Sequence, residues 1–525
     1  MEILKLNLDK SRPEAPTEGE VRFQVALIAA TAAVGASLVA RFVFDAPLLP
    51  ELLAQAIFAI APIWFVEMVI GMLGPFAKHL AFLACVVAYL AALLLASLAY
   101  LRYVPRRNSI QARIVSIAIF SLAVWACTLF AIVPILGGGF AGKYLPQGAP
   151  NTAIALFVAH AVYGAALALA SKVYLNGHDA AKDKSKLISR RRVIRGVGFA
   201  VLAVGVYDIG RSLFGTWFEK GSGRVRGGNG VFPNIDNLAL EVTPASDFYE
   251  VSKNPFDPQV DAAGWKLEIA GLVETPLLFS YDDIKGLPSV EQYATLACIS
   301  NEVGGDLIGN ALWRGVRLKD LLNQARVKDG VVDIVLRARD DYSDSIPLER
   351  AMNDATLLVY EINGQPLTPA HGYPLRLIVP GIYGMKNVKW ITRIEAIDYD
   401  LKGYWQRRGW DDRAEYKTLS RIDAPASTVK GETTIAGIAF AGDRGISRVE
   451  VSTDGGKTWE EAEIKPPLSP YSWVLWHKQW APQQTGKHQL LVRAADGTGA
   501  VQTSEKAPPD PSGSSGYHSV IIKSE

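Results

Sequence analysis

The sequence predicts three parts in a row: a multi-helix membrane domain over 1–218, an α+β domain over 243–417 and an immunoglobulin-like β-sandwich over 418–525, with a linker at 219–242. Three observations predict this. Residues 21–218 are dominated by apolar runs while the remainder has an ordinary water-soluble composition, so the 49% hydrophobic content of the 525-residue chain averages two unlike halves. The stretch "FEKGSGRVRGGNGVFPN" (218–234) between them is glycine-rich, as flexible connections are. Beyond Lys417 the pattern changes to short strands at regular spacing, the signature of a sandwich.

The membrane half offers six apolar segments, at about 21–44, 51–74, 78–101, 110–136, 152–174 and 193–215. Each is near the roughly 20 residues that cross a bilayer as a helix. Lys and Arg in the loops set the orientation. "RYVPRRN" (102–108) and "SKVYLNGHDAAKDKSKLISRRRVIR" (171–195), the latter with eight Lys and Arg, belong on the cytoplasmic side. "GGGFAGKYLPQGAPN" (137–151) has a single Lys and belongs outside. The last segment then runs outward and places everything after residue 218 on the extracytoplasmic face of a multi-pass protein of the cell membrane. Five crossings, with one of the first two segments turning back, is the alternative. "SRRRVIRGVGFAVLAVG" (189–205) fits an internal twin-arginine export signal and equally a basic flank of the last helix. Glu67 is an ionisable group inside a span and a functional candidate on that ground, with no role assigned. His79 and His160 fall toward the outer leaflet, where a pair could ligate haem b; a histidine bonded to a neighbouring helix is the favoured reading.

In the soluble half, "GWKLEIAGLV" (264–273) alternates as a strand and turns at "ETP". "SYDDIKGLP" reads as a short helix started by Ser280, and "YATLACIS" as a strand leading into a turn around Cys298. "VRLKDLLNQARV" has helical spacing, while "VVDIVLRARD" and "PLRLIVPG" are further strands. The sandwich strands are "TTIAGIAFAG", "ISRVEVSTDGG", "HQLLVRAADG" and "HSVIIKS". "STDGGKTW" (452–459) matches an Asp-box; a single copy predicts a structural turn, not a glycosidase propeller.

A net charge of +2 excludes a strongly basic nucleic-acid surface, and three cysteines without a CxxC or HExxH pattern exclude a disulfide framework and a zinc site of those types. Cys85 and Cys127 lie in apolar runs, but Cys298 lies between a strand and the glycine-rich "SNEVGG". By itself it reads as a small buried apolar residue or as a thiolate with a nucleophilic or metal-binding role.

"TLACISNEVGG", followed in order by "GNALWRGVRLKDLL", "YSDSIPLERAM", "VYEINGQPLTPAHGYPLRLIVPG" and "YGMKNVKWITRI", resembles the sulfite oxidase family of molybdopterin-dependent oxidoreductases, including bacterial, membrane-anchored members related to the periplasmic methionine sulfoxide reductase. The match covers about 243–500, and the C-terminal sandwich, with "YSWVLW" (471–476), is similar to that family's dimerisation domain. The resemblance implies a Mo-molybdopterin cofactor in the α+β domain, with Cys298 as the one protein thiolate on molybdenum and Tyr342 as the active-site tyrosine. A soft anionic sulfur suits that metal. For the pterin and its phosphate the resemblance implies Tyr249, Glu250, His371, Arg376, Asn387, Val388 and Lys389, with His371, Arg376 and Lys389 read as supplying fixed positive charge.

The chain departs from the family where sulfite would bind. Glu302 and Val303 follow "CISN" where an arginine is expected, Val474 replaces the arginine of the tryptophan-rich motif, and Lys253 stands for another. One lysine for several arginines makes a poor dianion pocket. The expected function is oxygen-atom transfer on a small, non-sulfite substrate such as a sulfoxide, with electrons exchanged with a membrane quinone or a haem protein. A homodimer is implied by the resemblance. Sulfite dehydrogenase and a cofactor-free extracytoplasmic binding or adhesion protein are the alternatives, as is a transporter-like membrane domain with an external sensor.

Overall fold

The computed structural model describes residues 17–44, 46–61, 69, 76–103, 109–143, 145, 148–174, 235–254 and 257–525. The chain divides into two compact units, Met1–Gly215 and Thr216–Glu525.

In the first unit, four helices are long and apolar enough to cross a membrane, over Glu18–Arg41, Leu80–Tyr103, Gln111–Ile135 and Gly148–Val173. They belong to α1 (Glu18–Phe44), α3 (Phe76–Tyr103), α4 (Ile110–Cys127 with its continuation) and α5 (Gly148–Tyr174); α2 (Leu49–Ile60) is a shorter piece. Of the six expected segments, 193–215 lies outside the described residues, together with the twin-arginine region and Glu67, and most of 62–74 does too. The 110–136 segment is not one regular helix. It widens into a π turn at Thr128–Ile132 before Val133–Ile135. Pro134 explains the position, since a proline ring has no N–H and crowds the carbonyl four residues earlier.

Small residues let these helices approach. A Cβ on Gly164 of α5 would come 2.9 Å from Ser121 of α4. Some polar groups inside pair across helices: Ser97 Oγ and Tyr163 Oη are 2.6 Å apart, and Arg41 Nε lies 2.9 Å from Glu51 Oε2. His160 is buried with Nδ1 2.7 Å from the Leu156 carbonyl and Nε2 3.4 Å from Thr128 Oγ1. The side chain of His79, its expected haem partner, is not among the described ones.

The second unit begins with β1 (Lys266–Gly271), β2 (Leu277–Ser280) and the short helix α6 (Tyr281–Gly286). Ser280 closes a full capping box with Asp283, which is why the helix starts there. Then come β3 (Val290–Ala297), β4 (Ile308–Arg317), α7 (Leu318–Ala325), β5 (Asp333–Ala338), β6 (Ser343–Pro347), α8 (Leu348–Ala351), β7 (Leu357–Ile362), β8 (Gln365–Pro366), β9 (Arg376–Ile378) and β10 (Ile391–Ile397).

Two five-stranded sheets result. One runs β2-β1-β10-β5-β6; the other runs β3-β4-β7-β8, with β9 also paired to β7. Helix α7 buries Leu318, Leu321, Leu322 and Ala325, the stripe of an amphipathic helix, against a core that includes Leu267, Ile334 and Ile394. Trp313, fully buried, centres a second cluster with Phe248, Leu296 and Val359.

The C-terminal part is all β: β11 (Leu419–Ala424), β12 (Thr433–Phe440), β13 (Ile446–Ser452), β14 (Glu460–Glu461), β15 (Glu463–Ile464), β16 (Val474–Trp480), β17 (Gly486–Asp496) and β18 (His518–Ser524). They form two four-stranded antiparallel sheets, β11-β12-β16-β15 and β14-β13-β17-β18, around a core with Trp476, Val449 and Val492. In the "STDGGKTW" hairpin Asp454 accepts from the Lys457 and Thr458 amides and from the hydroxyls of Ser452 and Thr458, so its carboxylate is spent on closing a turn.

Candidate active site

Cys298 follows directly on β3, whose last residues are fully buried. Its amide donates to the Leu307 carbonyl at 2.9 Å, and Asn301 Oδ1 accepts from the Leu307 amide at 2.9 Å, so residues 298–307 form a closed loop. Strands and loops from the C-terminal sheets pin it. Arg421 donates to the Gly305 carbonyl, and Ser514 donates to that of Asn301. Gly304, at φ +79°, has His518 so close that a Cβ would stand 2.3 Å from it. The Cys298 sulfur is buried and lies 3.0 Å from Ser300 Oγ.

Four tyrosines surround this sulfur within electrostatic reach: Tyr249, Tyr342, Tyr383 and Tyr416. Burial is the main cause that pushes each phenol up, and the Cys298 charge adds to it in all four. Tyr383 is raised to about 12 and stacks edge-on against Tyr416 at 4.6 Å. All four are therefore neutral donors at physiological pH. Tyr342 Oη lies 2.7 Å from the Met385 carbonyl and 3.1 Å from Asp344 Oδ2. Tyr249 Oη sits where a Cβ on Gly384 would come within 2.5 Å.

Arg376, at the start of β9, is 6% exposed, its guanidinium 5.2 Å over the Trp313 ring. It donates to the His371 carbonyl at 3.2 Å, but its Nε is buried with no partner, and no carboxylate pairs with it among the described residues. Burial lowers it to about 10, with Tyr249 and Tyr416 opposing, so it stays a cation. A buried, uncompensated guanidinium is costly unless an anion completes it. The phosphate-bearing pterin expected here is such an anion, so the donor set fits the cofactor.

The other expected cofactor residues differ in what they offer. His371 is buried with Nε2 2.8 Å from the Ala245 carbonyl, and burial lowers it to about 4. Burial, helped by the nearby Arg376 and Lys389, keeps it neutral against the opposing pull of the Ala245 carbonyl, to which Nε2–H donates, so the expected positive charge is absent. Lys389 donates to Ser252 Oγ at 2.9 Å and the Ala370 carbonyl at 2.8 Å. Asn387 is spent internally: Oδ1 accepts from the Val379 amide at 2.6 Å and Nδ2 donates to the Tyr383 carbonyl at 3.1 Å. Val388 is buried, and Glu250 is exposed beside Tyr249.

Arg408, Asp344 and Lys386 at this site were not singled out from the sequence, whereas Lys253 was, as the replacement of an arginine. Arg408 places its guanidinium 3.6 Å over the Tyr404 ring, whose centroid is 5.8 Å from that of Tyr342. Lys253 stands 5.6 Å from the same ring and 4.0 Å from Asp340. Asp344 and Lys386 are a fully buried ion pair at 3.1 Å. "WQRRGW" and "GMKN" carried the only local signal for Arg408 and Lys386, a charge inside an aromatic or glycine-rich turn.

Comparison with known proteins adds the following. Residues 254–405 match the oxidoreductase molybdopterin binding domain, and residues 418–509 match the Mo-co oxidoreductase dimerisation domain. The chain is 32% identical to mitochondrial sulfite oxidase of Mus musculus over 318 residues, 51% of this chain and 58% of that one. It thus spans well under two thirds of that relative's length. An uncharacterized oxidoreductase of Bacillus subtilis, YuiH, is 34% identical over 155 residues, 30% of this chain and 76% of that one. Sulfite oxidase of Arabidopsis thaliana is 30% identical over 334 residues, 51% of this chain and 84% of that one. With its molybdopterin and dimerisation regions in sequence and most of the plant enzyme matched, the chain belongs to the sulfite oxidase family of molybdenum-dependent oxidoreductases.

Proposed function

We propose that the chain is a membrane-anchored, extracytoplasmic oxidoreductase that transfers an oxygen atom to or from a small substrate such as a sulfoxide. The observation that carries the enzymatic reading is Arg376: a buried cation with an unpartnered nitrogen, near enough to Tyr249 to act on it as the Cys298 charge also does. Cys298 is the protein ligand to molybdenum in this reading. Arg376 and Lys389 would meet the pterin phosphate, with His371 as a neutral hydrogen-bonding group; Tyr249, Glu250 and the Val388 backbone would help hold the pterin, and Asn387 holds the loop. When bound, the metal supplies the two-electron chemistry and the exchangeable oxygen. The chain's own part is to bind, to orient and to offer the Tyr342 hydroxyl as a proton or hydrogen-bond partner on the substrate side.

Anchoring rests on the four long apolar helices, and a homodimer on the dimerisation-type region, read as an immunoglobulin-like sandwich. A membrane quinone or a haem protein takes or gives the electrons. A second reading, sulfite dehydrogenase, has an observation of its own. Lys253 and Arg408 both lie against Tyr404, beside Tyr342, and two cations there favour an anion.

Molybdenum analysis and a substrate screen with a redox dye test these readings. About one molybdenum per chain is expected, with Arg376→Met loading much less and Cys298→Ser losing at least ~100-fold in turnover. Turnover of sulfoxides but not sulfite supports the first reading, and the reverse supports the second. Protein grown with ample pterin that carries no molybdenum rejects both.

A further inference from the structure

The mechanism above leaves a buried ionisable group beside Tyr342 unused. Asp344, on β6, is fully buried, and its Oδ2 is 3.1 Å from the Tyr342 hydroxyl. Its Oδ1 accepts from Lys386 Nζ at 3.1 Å and from the Ser345 amide at 2.9 Å; Gln406 Nε2 lies 3.2 Å from Oδ2. Gly403 closes the space, because a Cβ there would come 2.7 Å from the carboxyl carbon.

The hydrogen count around Tyr342 is uneven. Its oxygen is 2.7 Å from the Met385 carbonyl, which can only accept, and 3.1 Å from Asp344. One hydroxyl hydrogen cannot serve both well. With a proton on Asp344 both contacts become bonds: the carboxylic acid donates to Tyr342, and Tyr342 donates to Met385. Without it, the phenol turns its hydrogen to Asp344. The Gln406 Oε1 nearby is buried with no donor.

The charges permit both states. Lys386 lies between Asp344 and Asp412, 3.3 Å from the latter, and Asp412 is in turn 2.6 Å from Lys402. When Asp344 is neutral, Lys386 still has Asp412; when it is ionised, Lys386 serves it directly. Neither state strands a buried charge. The remaining charged groups near the pair, Asp340 and Cys298, act on Tyr342. Burial raises the carboxyl, with Lys386, the Ser345 amide and Gln406 pulling the other way.

We propose that Asp344 is a positioning residue that holds the proton for Tyr342 during oxygen transfer, and that the half-exposed Asp412–Lys402 end of the network tunes when it does so. The phenol gives its proton to Asp344 Oδ2 and regains one from a water or hydroxyl on the substrate side. One O–H bond forms for each one broken, and no electron passes through either residue. The assignment rests on the reading of Tyr342 as the group that faces the reacting oxygen.

Infrared difference spectra of the full-length protein, taken across acid to neutral pH, test it without turnover. A buried carboxylic acid stretch should grow as pH falls, vanish in Asp344→Asn, persist in Asp341→Asn and shift in frequency in Tyr342→Phe. Asp412→Asn leaves Lys386 to Asp344 alone, so the midpoint of that band should fall by roughly one pH unit; this variant sits at the edge of the network and serves if Asp344→Asn does not fold. In turnover, Asp344→Asn should lose the acid limb of the kcat profile and about 100-fold of kcat with little change in KM. A band that survives Asp344→Asn, a midpoint that stays or rises in Asp412→Asn, or an unchanged kcat profile overturns the role of Asp344. Protein without molybdenum overturns the enzymatic reading instead, and the band still reports whether Asp344 carries the proton.

Discussion

An imidazole only 2% exposed takes a proton with difficulty even where its Nε2–H donates to a carbonyl, and His371 illustrates the consequence for stability. Its ordinary value of 6.5 falls to about 4 in the folded chain, with burial as the first cause. The unfolded chain therefore binds a proton here as pH drops through 6.5, while the folded chain resists until about 4. Stability is fully present above 6.5 and declines through this window, by roughly 3 kcal/mol at its lower end. Denaturant unfolding at a series of pH values should show the decline, and His371→Gln should flatten it by that amount. An equal slope in both proteins would mean that the imidazole is protonated in the fold. The same residue explains a misjudged charge in the sequence reading. "HGYPLR" suggests two cations, but which of two basic neighbours keeps its proton depends on burial and on the cations packed beside it, which the fold decides.

The turn Gly384–Lys386 shows how an element places chemistry. It brings Met385 to Tyr342 and Lys386 to Asp344, and it passes so near β3 that a Cβ on Gly384 would meet Tyr249 Oη at 2.5 Å and the Ala297 carbonyl at 3.2 Å. Gly384→Ala should therefore push Tyr249 off its place, cost about 1–3 kcal/mol and lower molybdenum content, as measured by unfolding and metal analysis on the same preparation. Wild-type stability with full metal would mean that Tyr249 has free space. Elements whose cause is local were legible: Ser280 with Asp283 announces α6, the 3–4 spacing of leucines announces α7, and "YATLACIS" runs into the Cys298 loop. "PLRLIVPG" yielded only a three-residue strand, because a continuous apolar run does not distinguish a strand from buried loop. The Asp344–Lys386 pair, 42 residues apart, and Arg408 over Tyr404 needed the fold itself.

At the scale of the whole molecule the argument is about which side of a membrane the catalytic part occupies. Four described helices have the length and apolarity to span, with mean hydropathy between 1.9 and 2.5. The last of them, α5, carries Lys172 in its final turn and leads into the basic stretch 171–195. By the positive-inside rule the proposed topology has that stretch on the cytoplasmic side. On the topology we propose, one more crossing at 193–215, outside the described residues, would place residues 219–525 on the extracytoplasmic side. A reporter that is active only outside the cytoplasm should be active when fused after Glu525 and inactive when fused within 176–188. Exchanging Arg190, Arg191, Arg192 and Arg195 for glutamine should lower the first signal, because the inside anchor of that crossing is weakened. Activity from the 176–188 fusion, with silence after Glu525, would invert the topology and put the molybdenum site in the cytoplasm.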